Sequence, residues 1–379
     1  MEEMIAKLNS KTKEERLDSL RELLAKAGDD FPEPDGNVNN HIHTTFSFSP
    51  YSPTKAVYMA RMAKLSAAGI MDHDSVGGVR EFFEAGRVLS LPTTAGFELR
   101  VRFLSTPVAE YKINNPDEDG VAYVVIHGLK EQYIETADTF LKPIREARGK
   151  RNTAMCGKLS KVTGIEIDYE KDVVPLSEKK NGGSVTERHI TCALSKKLIE
   201  IYGTGRELKD KLSAYECISK TDIERLAETE DEIFLFDLIG ILKAGFVEMF
   251  YVPVSPEECP DIRDVIRLSA ETDSILAYPY LGDVALSVTG DKKPQTFEDG
   301  ILEELFETIN GLGIRSVAYM PARNTREQLE RVRALCERYQ MFQISGEDIN
   351  SPRQPFISEA SKDPYFENLK EAAWELIGR

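Results

Sequence analysis

Apolar residues recur in several segments at the intervals of three and four that place them on one face of a helix. Residues 12–28 show this clearly, because the four leucines between positions 17 and 24 share a face. Thr12 and Glu15 form a capping box at the start, and Gly28 suits the position after the last turn. A helix is therefore predicted here, ahead of the turn FPEPDG.

Downstream of that turn, short apolar runs typical of strands alternate with helical segments. A helix is predicted over residues 52–69, with Ser52 as N-cap, Pro53 in the first turn and Gly69 as terminator. The strand-like runs are IMDHDS, TTAGFELRVRFL, VAYVVIHGL, SILAYPYL, IRSVAYM and MFQIS. This alternation predicts an α/β fold with a parallel sheet, closed or open.

The middle of the chain departs from that alternation. Residues 131–162 and roughly 189–247 are mostly helical in pattern and poor in strand signals. This part is therefore predicted to be a helical insertion in the α/β frame.

Charge and composition limit the possible functions. The net charge of −16 argues against a protein that binds long nucleic acids, which needs a broad basic face. A small anionic substrate stays possible, because bound metal ions add local positive charge. No apolar run is long enough for a membrane span, since Asp237 and Lys243 interrupt FLFDLIGILKAGF. The five scattered cysteines and the acidic N-terminus MEEMIAKLNS predict a cytoplasmic protein with reduced thiols.

Two of the five histidines stand one residue apart in NNHIHTT. On a strand, His41 and His43 point to the same face, and two imidazoles side by side can chelate one cation. A single histidine is more often a core or surface residue, but a pair on one face makes a metal site an equal alternative.

Further polar residues follow other predicted strands. Asp72, His73 and Asp74 come directly after one strand, although a polar turn that caps the next helix is the simpler interpretation. Glu98 is a carboxylate within an apolar strand, where it needs a partner such as a shared metal. Asp348 follows the last strand. The ends of parallel strands are where α/β sheets and barrels build their sites.

The remaining histidines, His127 and His189, also lie at element ends, so all five do. The ordered motifs HIHTTFS, MDHDSVGG, GFEL, ERHITCAL and SGEDIN resemble the PHP (polymerase and histidinol phosphatase) family of metal-dependent phosphoesterases. The resemblance covers roughly residues 38–356. It is closest to the branch that contains nucleotide phosphatases and short-RNA exonucleases, which carries a helical insertion.

This resemblance implies a distorted (β/α)7 barrel with an inserted, mainly helical subdomain. Residues 38–130 and 248–379 would form the barrel, and residues 131–247 the insertion that closes over the site. Residues 1–37 would be an N-terminal helical extension outside the resemblance.

The resemblance also implies a binuclear metal site of Zn, Mn or Fe ions. His41, His43, Glu98 and Asp348 would bind the first ion, and Glu98 would bridge to a second ion. The expected ligands of that second ion are Glu98, His127 and His189. Such a pair of ions clamps a phosphate and generates hydroxide from a bound water.

Three positions depart from the family pattern. Phe48 replaces an acidic ligand, Asn350 replaces a histidine ligand, and Tyr278 stands in place of the histidine of a common Ala-His-Pro motif. The first two losses fall on the family's third metal, which would retain His73 among its usual ligands. Two ions are therefore expected, and a third only if Glu347, Asp74 or another residue substitutes for the lost ligands.

Five arginines are candidates for phosphate binding. Two alternate with Glu98 along one strand, and three lie on one helical face at the start of the insertion. These candidates are Arg100, Arg102, Arg145, Arg148 and Arg151. The alternative is a solvated strand edge and a solvated helix stripe.

The leading hypothesis is a hydrolase of a small phosphate ester, such as a nucleotide or another phosphorylated metabolite. Asp72, His73 and Asp74 are its candidate proton carriers, and the sequence does not choose among them. A second hypothesis is a degenerate family member that binds a ligand without turnover. A third keeps the metals but hydrolyses a C–N or other non-phosphate bond, as in an amidohydrolase-like barrel.

Overall fold

The strand-like runs form one sheet of seven strands whose spatial order follows the sequence. The computed structural model describes residues 2–28, 31–284 and 296–378. The strands are β1 (Val38–Ile42), β2 (Ala67–His73), β3 (Thr93–Arg102), β4 (Val121–His127), β5 (Ile275–Pro279), β6 (Ser316–Tyr319) and β7 (Phe342–Ser345).

The sheet curls until its two edges meet. The backbone N–H of His43 donates to the carbonyl of Ile349 at 2.9 Å, and the N–H of Ile349 donates to the carbonyl of His41 at 3.0 Å. These bonds join β1 to the segment after β7 in a parallel bridge. The predicted fold class, a distorted α/β barrel, is confirmed.

The prediction of a parallel sheet is wrong for one strand. β4 runs antiparallel to both β3 and β5, whereas the other neighbours are parallel. Residues 103–120, which connect β3 to β4, contain only the short 3-10 turn Pro107–Glu110. Without a crossover helix the chain turns back beside β3. His127 therefore lies level with Gly96, deeper in the barrel than Glu98.

Helices surround the sheet and fill the middle of the chain. They are α1 (Glu2–Lys7), α2 (Lys13–Ala27), α3 (Pro53–Met62), α4 (Val79–Leu89), α5 (Ile134–Thr163), α6 (Glu187–Tyr202), α7 (Arg206–Ser213), α8 (Lys220–Ala227), α9 (Asp231–Phe250), α10 (Ile262–Glu271), α11 (Leu302–Gly311), α12 (Arg326–Arg338) and α13 (Glu367–Ile377). The capping box of α2 is present as predicted.

The predicted end of α3 is wrong. The helix stops at Met62, and Lys64 adopts a left-handed backbone with φ of 67°. Gly69 belongs to β2 instead, where a Cβ would lie 2.9 Å from the backbone of Asn40. The glycine thus allows close strand packing and does not end a helix.

The N-terminal helices are fixed to the barrel by a buried ion pair. Arg16 on α2 donates from Nε to Glu81 on α4 at 2.8 Å, and both side chains are buried. Thr54 at the start of α3 donates to the same carboxylate from its N–H and its hydroxyl. Three helices therefore meet at one carboxylate.

Two layers of core side chains flank the sheet. The large outer cluster lies between sheet and helices, and includes Ile42, Phe97 and Ile126. The small inner cluster fills the barrel with Met71, Val125, Ala277, Ala318, Ile344 and, from α13, Leu376. The inner face thus carries odd-numbered residues of β2 and β4, which places His73, Tyr123 and His127 inside the barrel.

The helical middle has a hydrophobic core of its own. That cluster runs from Met155 on α5 to Phe250 on α9. The first turns of α5, including Ile134 and Ile144, pack instead in the outer cluster of the barrel. One helix therefore contributes to both cores, and the predicted domain boundaries stay a prediction.

In the part of the chain that the structure describes, no helix combines the length and apolar character needed to span a membrane.

Substituting Gly96 with alanine should destabilise the protein, because a Cβ there would lie 2.0 Å from the carbonyl oxygen of Ile126 on β4. We expect a cost at or above the roughly 1–3 kcal/mol typical of overpacking. Urea denaturation measures it. Gly157→Ala is the matched control, since its Cβ meets nothing within 4 Å on α5 and alanine favours the helix. Equal stability of the two variants would contradict the expectation.

Candidate metal centre

Five side chains converge inside the barrel, from the ends of β1 and β2, the middle of β3 and the loop after β7. His41 and His43 extend inward from the end of β1, because Ile42 between them packs outward in the hydrophobic layer. His43 Nε2 lies 3.3 Å from Asp348 Oδ1, and His41 Nε2 lies 3.8 Å from Glu98 Oε2. All except His73 and Asp348 are largely buried.

Glu98 is the centre of this arrangement. Its Oε1 lies 2.8 Å from His73 Nδ1 and 3.5 Å from His43 Nε2. His73 pairs with Glu98 across β2 and β3, and its ring stacks on that of His43. Burial alone would raise the pKa of Glu98, but His73, His41 and His43 lower it well below its ordinary value. The carboxylate is therefore ionised and available as a ligand.

Among the residues that the structure describes, two overlapping groups have ligand atoms close enough to share a metal ion. His41, His43 and Asp348 form one, and His43, His73 and Glu98 form the other, with the ligand atoms of each group within 4.8 Å of one another. His43 belongs to both, so they constitute one cluster of five residues. His73, predicted both as a proton carrier and as the ligand left to the family's third metal, thus lies among the candidate ligands.

The donor set fits a divalent transition metal. Nδ1 of His41 and Nε2 of His43 are buried, with no hydrogen-bond partner among the residues described. Burying such nitrogens unsatisfied is costly, and Nε2 of His43 faces two carboxylates, Glu98 at 3.5 Å and Asp348 at 3.3 Å. Burial opposes ionisation of Asp348, but His43 and His41 lower its pKa to about 2. Neutral imidazole with ionised carboxylate is the ligand combination of Zn, Mn and Fe sites.

His127 lies inside the barrel but outside both ligand groups. Its Nε2 is buried and has no hydrogen-bond partner in the described part of the chain. Burial lowers the pKa of His127 to about 3, and neighbouring His41 contributes to this. The ring is therefore neutral, and its role as a ligand of a second ion stays a prediction.

His189 is oriented by the start of its own helix. Its Nδ1 accepts a hydrogen bond from the backbone N–H of Thr186 at 3.0 Å, in a capping box on α6. Burial lowers the pKa of His189 to about 3, so the ring is neutral and its proton belongs on Nε2. A ligand nitrogen needs a free lone pair, whereas Nδ1 of His189 already accepts a hydrogen bond and Nε2 carries the proton. The role of His189 as a ligand of the second ion stays a prediction.

Asp72 lies behind the cluster, on the outward face of β2. Its Oδ1 accepts from the N–H of Thr44 at 2.7 Å and from the hydroxyl of Ser47 at 2.6 Å. Its Oδ2 accepts from the hydroxyl of Thr44 at 2.6 Å. Burial raises the pKa of Asp72, although His43 and these hydrogen bonds oppose the rise. Each carboxylate oxygen thus has a donor from the loop that follows β1.

The predicted phosphate-binding arginines form a buried ionic network. Arg100 Nη2 lies 2.5 Å from Glu258, and Arg151 Nε lies 2.7 Å from the same carboxylate. Arg148 and Arg151 share Glu187, at 3.0 and 2.6 Å. Arginines from the barrel and from α5 are thereby neutralised by carboxylates.

Asp74 joins the same network through Arg148, so it is an ion-pair partner and not an isolated proton carrier. Burial would raise the pKa of Glu187, but Arg148, Arg151 and Arg100 lower it well below its ordinary value. The three arginines and three carboxylates carry compensating charges where α5 and α6 meet the barrel.

The other two arginines donate hydrogen bonds to backbone carbonyl groups. Arg102 donates to the carbonyl of Val254 at 2.8 Å, and Arg145 donates to the carbonyl of Asp74 at 3.1 Å. Of the five candidates, Arg148 is the member that lines the pocket above the cluster among the residues described. Phosphate binding by the others has no support from their contacts.

The positions that depart from the family pattern have separate roles. Asn350 donates to both oxygens of Asp348, at 2.9 and 2.8 Å, and so orients that carboxylate. Phe48 packs edge-on against His189, with ring centroids 4.9 Å apart. Tyr278 packs in the outer layer and donates to Glu298 at 2.5 Å. Its side chain therefore lies away from the cluster.

A pocket of about 500 Å³ opens above the cluster, lined by residues of both the barrel and the insertion. Sequence reasoning missed several lining residues, namely Ser47, Tyr123, Arg188, Lys243 and Arg323. Signals for some were present. Tyr123 is four residues before His127, hence on the same strand face, and Lys243 is the one basic residue of α9.

Comparison with known proteins supports the fold. No protein-family model and no curated protein matches the chain. A solved structure assigned as a metal-dependent phosphoesterase from Bifidobacterium adolescentis is 20% identical, with a TM-score of 0.59 over 92% of this chain and 100% of that one. An amidohydrolase from Chromobacterium violaceum, solved with bound sulfate and no metal, is 15% identical, with a TM-score of 0.56 over 89% and 96%. At these identities the likeness shows a shared barrel fold.

Proposed function

We propose that this protein is a metal-dependent hydrolase of a small phosphate ester, in the manner of the PHP family. One observation carries the proposal: His41, His43, His73, Glu98 and Asp348 converge at the floor of a pocket sized for a small molecule. The assignment of a structural neighbour as a phosphoesterase agrees with it.

Two divalent transition-metal ions are expected, with the Glu98 carboxylate shared between them. When bound, they would supply a nucleophilic hydroxide at neutral pH and stabilise charge on the reacting phosphate. The five cluster residues hold this chemistry in place at the barrel floor. Asn350 donates to both oxygens of Asp348 and so orients this ligand before substrate arrives.

The pocket walls combine charged and apolar surface, which suits a polar substrate with an organic part. Four cationic side chains reach the lining beside five carboxylates, and the cations are Arg148, Arg188, Lys243 and Arg323. Phe48, Leu281 and Met320 supply apolar surface for the group attached to the phosphate. Arg188 also donates to Asn350, the residue that orients Asp348.

A second candidate is hydrolysis of a C–N bond by the same centre. The observation in its favour is that Arg100 and Arg151 are paired with Glu258 and Glu187 instead of facing the pocket. One structural neighbour is named an amidohydrolase. Turnover-free ligand binding is less well supported, because Tyr278 lies outside the site altogether.

Protein purified without chelators should contain transition metal and should release phosphate from at least one member of a panel of phosphomonoesters and phosphodiesters. Elemental analysis gives the metal per chain, and chelation followed by Mn, Zn or Fe addition should abolish and restore turnover. A panel of amides and cyclic C–N substrates is assayed in parallel. Turnover there alone would favour the second candidate, and metal without turnover on either panel would favour ligand binding.

A further inference from the structure

A buried hydroxyl connects Asp72 to the metal cluster. Ser47 Oγ lies 2.6 Å from Asp72 Oδ1 and 3.1 Å from His43 Nδ1. Ser47 is 2% exposed, and Asp72 and His43 are each 1% exposed. The three groups form a chain of hydrogen bonds that runs from the outward face of β2 to the inward face of β1.

The direction of this chain follows from counting protons. A serine hydroxyl has a single proton to donate, and the Asp72 carboxylate is an acceptor. The short bond to Asp72 uses that proton, so Ser47 can only accept from the histidine. His43 must then carry a proton on Nδ1, and in the neutral ring this leaves a lone pair on Nε2.

That lone pair lies where it is needed. His43 Nε2 is 3.5 Å from Glu98 Oε1 and 3.3 Å from Asp348 Oδ1, in both candidate ligand groups. The opposite tautomer would place a proton among these atoms and block ligation. A hydrogen bond on the far nitrogen is the general means by which proteins fix the tautomer of a metal-binding histidine.

Asp72 is itself held in position from two sides. The N–H and hydroxyl of Thr44 donate to its two oxygens at 2.7 and 2.6 Å. Its side chain lies outside the pocket lining, whereas His73, the next residue, lies within it. Asp72 is thus hydrogen-bonded to the loop after β1 and does not line the pocket in which a substrate would bind.

We propose that Ser47 and Asp72 are positioning residues that hold the His43 proton on Nδ1 and keep Nε2 ready to bind metal. This rests on the proposed function, because a lone pair on Nε2 is needed only if His43 binds a metal ion. It also assigns Asp72 a role different from that of a proton carrier. This chain of hydrogen bonds from Asp72 through Ser47 to His43, called the relay below, exists before any substrate binds. Its effect on the tautomer is therefore measurable in the metal-free protein.

Three substitutions test the relay. Ser47→Ala removes the acceptor for Nδ1–H, whereas Ser47→Thr keeps a hydroxyl and serves as the conservative rescue. Asp72→Asn keeps an oxygen that can accept from Ser47 and from the Thr44 N–H. Its amide can donate to the Thr44 hydroxyl, so the chain retains its direction. Circular dichroism establishes that each variant is folded.

The first readout is the tautomer. Nitrogen-15 NMR of histidine-labelled, metal-free protein reports which ring nitrogen carries the proton, and a His43→Asn spectrum identifies the His43 signals. We expect the Nδ1–H form in the native protein, in Ser47→Thr and in Asp72→Asn. A mixture of forms is expected in Ser47→Ala. The same tautomer in Ser47→Ala as in the native protein would overturn the proposal.

The second readout is the dissociation constant for Zn or Mn, measured by calorimetry. Ser47→Ala should weaken binding by roughly 10- to 100-fold, the usual effect of losing an outer partner of a ligand. Asp72→Asn should change it far less. Asp72→Asn that binds metal normally but loses turnover would overturn the positioning role and restore Asp72 as a proton carrier. If the native protein binds no metal, the proposed function fails, whereas the NMR result still decides the relay.

Discussion

Glu98→Gln should abolish metal binding and hydrolysis together. Glu98 lies within 3.8 Å of His41, His43 and His73, so its loss removes the carboxylate that these histidines share. A glutamine keeps the size but has no charge to offset a divalent ion. The losses in metal affinity and in kcat/KM should both exceed the roughly 10- to 100-fold that an outer-partner substitution costs.

Elemental analysis and steady-state kinetics on the same preparation measure the two losses. Glu359→Gln is the matched control, because Glu359 lines the same pocket but is exposed and lies outside the ligand cluster. It should retain its metal. A Glu98→Gln protein that keeps full metal content and turnover would exclude the proposed centre.

Glu258→Gln should lower the free energy of unfolding by about 3–5 kcal/mol, the typical cost of removing one partner from a buried charge network. The carboxylate is 2% exposed and receives hydrogen bonds from Arg100 and Arg151. Without it, two buried guanidinium groups lose an anion, and an amide N–H₂ faces at least one of them. Urea denaturation followed by circular dichroism gives the change.

Glu135→Gln is the control for that measurement. Glu135 forms an ion pair with Arg80 at 2.9 Å, but the two side chains are 76% and 49% exposed. Solvent screens such a pair, so its loss should leave unfolding within experimental error. Similar destabilisation by both substitutions would mean that the buried network contributes no more to the free energy of unfolding than an exposed ion pair does.

The inward histidines could be predicted from sequence because strand geometry is local. Alternation along β1 places His41 and His43 on one face whatever the rest of the chain does. Glu98 was recognisable for a related reason, since an ionisable residue in an apolar strand requires a partner. In each case the sequence pattern that reveals the residue extends over only a few neighbouring positions.

The arginines show where local reasoning fails. Arg100 finds Glu258 at a separation of 158 residues, and Arg151 finds the same carboxylate at 107. Spacing on a strand or helix predicts which side chains point together, but not which distant carboxylate meets them. The direction of β4 was hidden for the same reason, because it depends on how residues 103–120 return to the sheet.

The helix limit near Gly69 was missed for a different reason. Glycine ends helices often enough to suggest a terminator, yet here it serves the close approach of Asn40 and Thr94. Such a contact exists only once three strands are side by side. A sequence pattern therefore gave the correct start at Ser52 and an incorrect end.

The long helix α5 makes the insertion an extension of the barrel wall. Its 30 residues span about 45 Å, and its two halves are embedded in different cores. A lid on flexible hinges could swing aside without disturbing its base, but this helix could not, since tilting it would pull Ile134 and Ile144 out of their packing. We therefore expect any opening of the pocket to involve shorter segments that line it, such as those that carry Phe48 and Gln354.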